Sequence, residues 1–243
     1  MLWMYSSMSP GFSMRLYAWD YLPDFVRNED VRPYYDILFK KRKSLAVKRG
    51  ADIFLSLLLI VALLPFMLVL AVWIRLDSNG PALFRQIRIT QYGREYKILK
   101  LRTMTHSPPG DTVQITINGD HRLTRAGKHL RQLRLDELPQ LFNILSGDMT
   151  FVGTRPEVPE YVKHYTKEMM ATLLMPAGLT SKTSLLYRDE ALVLEDAGDA
   201  EQKYLLKILP RKMMCNLESL KNFSLWSDIT TMLRTVFPLC QPR

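Results

Sequence analysis

The apolar positions of this chain fall into three textures. From Ile53 to Ile74 they run together, interrupted by Ser56 and Pro65 alone. Around Gly93 they alternate with polar positions, in "ALFRQIRIT" and "EYKILKLRTM", the two-residue period of strands joined by a turn. In "GKHLRQLRLDELPQLFNILSGD" they recur at helical spacing. There Leu135, Leu138, Phe142 and Leu145 share one face, and Gly147 can end the helix. Residues 105–120, with Pro108, Pro109, Gly110 and Gly119, read as a loop. Further helices are expected near 157–173 and 200–235. Residues 1–39 are aromatic-rich and irregular, with Pro10, Pro23 and Pro33, and read as an extension of unknown role. They lack the charged head, compact apolar run and cleavage site of a signal peptide. No internal repeat is visible.

The 22-residue apolar run would be about 33 Å long as a straight helix, against a hydrocarbon core of about 30 Å. Two features oppose a plain crossing. Pro65 removes a backbone hydrogen bond and kinks or breaks the helix. Basic residues flank both ends: Lys40, Lys41, Arg42, Lys43, Lys48 and Arg49 before, Arg75, Arg85 and Arg88 after. One crossing cannot put both flanks on the inner side. A helix that enters, breaks at Pro65 and returns would do so. A kinked span and a buried core helix are the competing readings.

Composition narrows the classes. With 243 residues, 47% hydrophobic and 23% charged, the chain can bury a sizeable core and is not a disordered one. Cys215 and Cys240 are far apart, which gives neither a disulfide framework nor a cysteine zinc site. His106, His121, His129 and His164 lack ligand spacing. The net charge of +9 is concentrated: residues 40–150 hold 18 Lys and Arg against 8 Asp and Glu. Such a zone faces nucleic acid, anionic lipid or a phosphorylated substrate.

Asp136 and Glu137 open the run "DELPQLFNIL". Pro139 is tolerated only in a first helical turn, which puts Asp136 close to the N-cap, where its anion is favoured. The plain reading is a helix cap. The functional one is a nucleophile or Mg²⁺ ligand beside a phosphate-binding helix end. Lys100 and Arg102 in "KLRTM", Arg122 and Arg125 in "HRLTRAG" and Arg155 in "GTRPE" are singly ordinary surface charges. Together they suit a nucleotide diphosphate. No Walker loop or GxGxxG occurs.

"KRGADIFLSLLLI…LP", "RLDSNGPALFRQIRITQYGREYKILKLRTM", "DHRLTRAGKHLRQLRLDELPQLFNILSGDMTFVGTRPE" and "MPAGLTS" then follow in order over residues 48–181. This series resembles the bacterial sugar transferase family, the monotopic phosphoglycosyl transferases. The resemblance implies a compact, membrane-associated α/β domain with a re-entrant N-terminal membrane helix and interfacial amphipathic helices. Residues 40–76 would form the basic flank and membrane helix. Residues 77–243 would form the catalytic domain and C-terminal helices, on the cytoplasmic face of the bacterial inner membrane.

The implied reaction moves a phospho-sugar from a UDP-sugar to polyprenyl phosphate and releases UMP, starting a lipid-linked glycan. Asp136 would be the nucleophile and Mg²⁺ ligand, Glu137 its partner. Lys100, Arg102, Arg125, Arg155, Pro156 and Arg88 would contact substrate, and Pro65 would mark the helix break. Mg²⁺ is the implied cofactor. The implied partners are the UDP-sugar, polyprenyl phosphate and the lipid of one leaflet, with no nucleic acid and homo-oligomerisation left open. The chain departs from the family pattern in reading "VGTRPE" for "VGPRPE", Leu64-Pro65 for Ser-Pro, Thr90 for a glycine and "GLTSKTS" for "GLTGLAQ". A basic nucleic-acid-binding protein and an inactive scaffold of the same fold are the rival functions.

Overall fold

The computed structural model describes residues 14–105, 122–186 and 200–237. The loop read at 105–120 therefore lies outside them, apart from Thr105, as do His106, His121 and Cys240.

After helix α1 (Arg32–Lys40) the apolar run lies within one 36-residue helix, α2 (Arg42–Asp77). The expected break at Pro65 is not present: the helix continues through it. Proline withholds one donor, from the carbonyl four residues earlier, and the surrounding bonds keep the helix going, so a bend suffices. One stripe of α2 is buried, through Leu45, Arg49, Asp52, Ser56, Ile60, Met67, Leu70 and Ile74. Spacings of three, four and seven mark a single helical face against the rest of the chain. The remaining surface is apolar and exposed, including Phe54, Leu58, Val61, Val69 and Leu76. By length and composition α2 could cross a membrane: its most apolar 18-residue window has a mean hydropathy of 3.0, and only 22% of that window is buried. A soluble core helix would be mostly covered; an exposed apolar face this long marks contact with lipid or protein.

Both ends of α2 are fastened to the same domain. Near the start, Lys48 Nζ pairs with Asp228 at 2.6 Å, and Arg49 donates to the carbonyls of Ile144 and Leu145 at 2.7 and 2.9 Å. At the end, Asp77 accepts from the Ala126 N–H at 3.0 Å, and Arg102 donates to the Ser78 carbonyl at 2.6 Å.

The alternating stretches form an antiparallel hairpin, β1 (Leu83–Ile89) with β2 (Glu95–Leu101), in the register Ile89 to Glu95 and Leu83 to Leu101. Tyr92 and Gly93 turn the chain with φ of 58° and 74°. The expected single helix from Gly127 to Asp148 is instead two. Helix α3 (Arg125–Gln132) ends at Leu133, Arg134 turns left-handed at φ 59°, and a three-ten turn (Leu135–Glu137) precedes α4 (Gln140–Ser146). The buried face of α4 is Gln140, Leu141, Asn143 and Ile144, and Phe142 is 39% exposed. Leu135, Leu138, Phe142 and Leu145 all follow the break, but Leu135 lies in the three-ten turn and Phe142 and Leu145 in α4, and the change of winding between them keeps the four off one α-helical face. Gly147 does end α4, at φ 91°.

A parallel pair, β3 (Met149–Val152) with β4 (Ala177–Thr180), is joined by a crossover through residues 153–176. The helix expected at 157–173 is a short α5 (Pro159–Val162) and a three-ten segment (Met169–Leu174). Thr166 Oγ1 accepts from the Met169 N–H, starting a new turn rather than continuing the old one. After β4 comes α6 (Lys182–Leu186). The C-terminal helices are α7 (Ala200–Lys203), a π-turn (Tyr204–Ile208), α8 (Leu209–Lys221) and α9 (Leu225–Val236). Pro210 lacks an N–H, and the hydrogen-bond register slips in the turn before it. α9 buries Asp228 and Thr231 and exposes Trp226, Ile229 and Leu233, an apolar stripe at helical spacing.

Residues 14–39 have a definite place in this packing. Val26, Val31, Tyr34, Tyr35 and Leu38 share a core with Leu174, Met175, Leu217 and Phe223. Leu38→Ala should therefore destabilise the protein by about 2–5 kcal/mol, as for other fully buried leucines. Tyr21, 79% exposed, serves as the control. Denaturant unfolding in detergent measures both; equal, negligible effects would make the segment a dispensable appendage.

Candidate active site

The carboxylate pair sits where three elements meet. Arg134, in its left-handed conformation, turns the chain out of α3 and into the three-ten turn. Leu135 and Leu138 anchor that turn against Leu70, Ile74, Leu101 and Leu130. The turn is thus seated on the second half of α2. Asp136 is not an N-cap: the cap position of α4 is Pro139, and both carboxylates precede it. Both are buried, with 7% and 9% of their surface exposed.

Their electrostatic states differ. Glu137 Oε1 accepts from Arg155 Nη2 at 2.7 Å and from Lys100 Nζ at 3.1 Å. Burial alone would raise its pKa, but Arg155 and Lys100 outweigh burial and hold Glu137 well below the usual carboxylate range. For Asp136 no donor among the described residues reaches the carboxylate. Burial and then the neighbouring Glu137 charge push its pKa up, against weaker opposition from Lys100, Arg131 and Arg134. The helix-end stabilisation expected from the sequence is therefore reversed in sign. Burial lowers the pKa of Lys100, partly offset by Glu137, while Glu137 raises that of Arg155.

Not every basic residue expected at the site is there. Lys100, near the end of β2, and Arg155, just after β3, converge on Glu137. Arg88 is half-buried and donates to the Pro156 carbonyl at 3.1 Å and to Gln86, so it holds the Arg155 segment from behind. Pro156 takes part through that carbonyl. Arg102 turns away: its Nη2 caps the end of α2 on the carbonyls of Ile74 and Ser78 and on Ser78 Oγ. A cation suits that negative helix end. Arg125 is exposed at the first position of α3, with no bond to either carboxylate among the described residues. Two cations that sequence reasoning passed over, Arg131 and Arg134, act on Asp136. They lie five and two residues before it, a spacing with meaning only once the helix break is known. Arg131 is oriented by its Nε–H to Thr103 Oγ1 at 2.9 Å.

The Arg155 segment is set by close backbone packing. Gly153 N–H donates to the Thr180 carbonyl at 3.0 Å, and Gly178 N–H to that of Thr154 at 2.8 Å. A Cβ on Gly178 would collide with the Gly153 backbone. Thr154 contributes only that carbonyl to the pairing, which any residue supplies. Thr90 stands where a glycine was expected and is fully buried, bonded to the Asp148 carbonyl and the Ala177 N–H.

Comparison with known proteins gives the same assignment. The bacterial sugar transferase family matches residues 43–242. The chain belongs to the bacterial sugar transferase family. It is 35% identical over 193 residues to the UDP-N-acetylgalactosamine-undecaprenyl-phosphate N-acetylgalactosaminephosphotransferase of Aeromonas hydrophila, covering 78% of this chain and 43% of that protein. It is 37% identical over 192 residues to the UDP-glucose:undecaprenyl-phosphate glucose-1-phosphate transferase of Caulobacter vibrioides, covering 78% of this chain and 68% of that protein. A relative from Bacillus subtilis, described as a putative undecaprenyl-phosphate N-acetylgalactosaminyl 1-phosphate transferase, is 38% identical over 130 residues, 54% of this chain and 73% of its own. The chain thus spans less than half of the Aeromonas relative. Residues 14–42 precede the family match.

Among the described residues no cluster of three or more His, Cys, Asp or Glu could by itself hold a metal ion. Asp136, without a donor, fits the one-carboxylate mode in which Mg²⁺ takes its other ligands from phosphates and water.

Opposite pKa shifts give opposite stability effects. Glu137 is depressed, so its contribution is present above its ordinary value near 4.5 and is lost as the pH falls. Asp136 is raised, so its ionisation weighs against folding once the pH rises through its folded pKa. Glu137→Gln should cost about 1–3 kcal/mol at pH 7, toward the low end because the Arg155 side chain is 39% exposed, and the loss should shrink below pH 4.5. Asp136→Asn should be neutral or stabilising at pH 7. Denaturant unfolding across pH measures both; the same sign for both variants would contradict the assignment.

Proposed function

We propose that the chain transfers a phospho-sugar from a UDP-sugar to polyprenyl phosphate at a membrane surface, through a covalent intermediate on Asp136. The observation that carries this reading is the pair of adjacent buried carboxylates in opposite states: Glu137 held by Lys100 and Arg155, Asp136 without a donor among the described residues. Similarity to transferases that act on UDP-sugars and undecaprenyl phosphate supports the substrate classes.

The diphosphate enters a field of cations. Lys100 and Arg155 bind its oxygens while retaining Glu137, and Arg131 and Arg134 add positive potential on the Asp136 side. Mg²⁺, when bound by Asp136 and substrate oxygens, offsets diphosphate charge. An Asp136 oxygen attacks the β-phosphorus. The bond from that phosphorus to the bridging oxygen breaks, and UMP leaves with the electron pair. A polyprenyl phosphate oxygen then attacks the same phosphorus, the bond to Asp136 breaks, and the carboxylate is restored. Burial and the neighbouring Glu137 charge push the Asp136 pKa up, which makes its carboxylate a more basic nucleophile than an exposed aspartate. Glu137 stays an anion throughout and fixes the two cations that bind substrate.

The exposed faces of α2 and α9 lie in the membrane in this reading. Both ends of α2 are fastened to the one domain, through Lys48 and Asp77, so both basic flanks meet the cytoplasmic surface in this reading. That location suits one soluble and one lipid substrate, at the inner membrane of a bacterium.

Two experiments test the proposal. Without any polyprenyl phosphate, the enzyme with Mg²⁺ and a panel of UDP-sugars should release about one UMP per active site, as a two-step covalent mechanism requires. Asp136→Asn should remove that release; a folded Asp136→Asn variant with near-normal turnover would defeat the mechanism. For topology, single cysteines at Lys43 and Arg75, on a background without Cys215 and Cys240, should both be protected from a membrane-impermeant label added to intact cells. Labelling at Lys43 alone would mean a full crossing.

A further inference from the structure

Arg155 owes its place to the short segment Arg155–Glu157. Two bonds hold that segment from β1: Arg88 Nη1 donates to the Pro156 carbonyl at 3.1 Å, and the Ile89 N–H to the Glu157 carbonyl at 3.0 Å. The third comes from the far end of the chain. The Tyr204 hydroxyl donates to Glu157 Oε1 at 2.6 Å, and both residues are buried. Tyr204 opens the π-turn, and that slip in register sets which way its ring points. The ring lies 5.0 Å from Tyr161, and Lys212 Nζ lies 5.0 Å from its centre. The anchor is thus itself fixed.

Arg155 is bonded to one carboxylate and feels a second. Glu137 bonds to it at 2.7 Å, and Glu157, two residues along the chain, also attracts it. Which of the two commands Arg155 depends on what else Glu157 is bonded to. A Glu157 that accepts the Tyr204 hydroxyl is engaged; one released from it is free to draw Arg155 away from the dyad.

We propose that Tyr204 is a positioning residue for the site: by engaging Glu157 it leaves Arg155 to Glu137 and to the incoming diphosphate. The kinetic part rests on the donor reading above; the structural part does not. The C-terminal helices thereby act on the segment that follows β3.

A matched control exists. Tyr34 donates to Glu168 Oε1, also at 2.6 Å, in a cluster that includes none of the dyad's partners. Tyr204→Phe and Tyr34→Phe each delete one hydroxyl and keep the ring. The first measurement needs no activity. Each variant is combined with Glu137→Gln, and the purified full-length protein is unfolded in denaturant. Tyr204→Phe should couple to Glu137→Gln, the double variant being less destabilised than the sum of the singles, because Arg155 has already left Glu137. Tyr34→Phe should be additive with it. The second measurement is steady-state UMP release. Tyr204→Phe should raise KM for the UDP-sugar about 3–10-fold, the effect of one lost hydrogen bond, with KM for polyprenyl phosphate unchanged. Tyr34→Phe should leave both constants unchanged. Additivity of Tyr204→Phe with Glu137→Gln overturns the inference whatever the activity. A wild-type protein that releases no UMP from any UDP-sugar overturns the donor reading instead, and the stability cycle still decides the role of Tyr204.

Discussion

The double ion pair on Glu137 is the contact on which the site depends. It joins three pieces of chain: the end of β2 through Lys100, the turn after α3 through Glu137 itself, and the segment after β3 through Arg155. A buried carboxylate is costly unless paired, and two cations pair this one. That satisfaction isolates Asp136, which sits beside a permanent negative charge and within reach of cations already engaged. One neighbour is fixed as an anion while the other keeps its carboxylate without a donor among the described residues. The hydrophobic packing of Leu135 and Leu138 on α2 then seats the pair against the second half of that helix.

α2 serves a core with one face and exposes an apolar surface with the rest. Its buried stripe includes Lys48, Arg49 and Asp52, polar groups that would be unfavourable in lipid and are satisfied inside the protein. Lys48 meets Asp228, and Asp52 accepts from Thr150 Oγ1 at 2.6 Å. The apolar residues lie both inside and outside, so hydrophobicity alone does not separate the two faces. The charged positions do, because they must find partners within the domain.

Much of this was legible in the sequence where the signal is local. The β1–β2 hairpin follows from alternation and a glycine turn. Gly147 ends α4 as its position suggests. The Asp136-Glu137 pair, Lys100 and Arg155 were identifiable from their motifs. What escaped was what only three dimensions decide. Arg134 in a left-handed conformation cannot be read from helical spacing, and it divides one apparent helix into two. Arg102 sits two residues from Lys100, yet the end of α2 claims its guanidinium. Pro65 looks like a break, and the helix accommodates it. Residues 14–39 look irregular because their order comes from partners more than a hundred residues away, such as Leu174 and Leu217. Tyr204 and Glu157 are likewise joined across 47 residues.

The central claim is the division of labour between the two carboxylates, and its most direct measurement is where the sugar phosphate becomes attached. Enzyme exposed to its UDP-sugar without lipid acceptor is quenched in acid, digested and mapped by tandem mass spectrometry. The account predicts one phospho-sugar on Asp136 and an unmodified Glu137. A phospho-sugar on Glu137, or UMP release with no modified peptide, would contradict it.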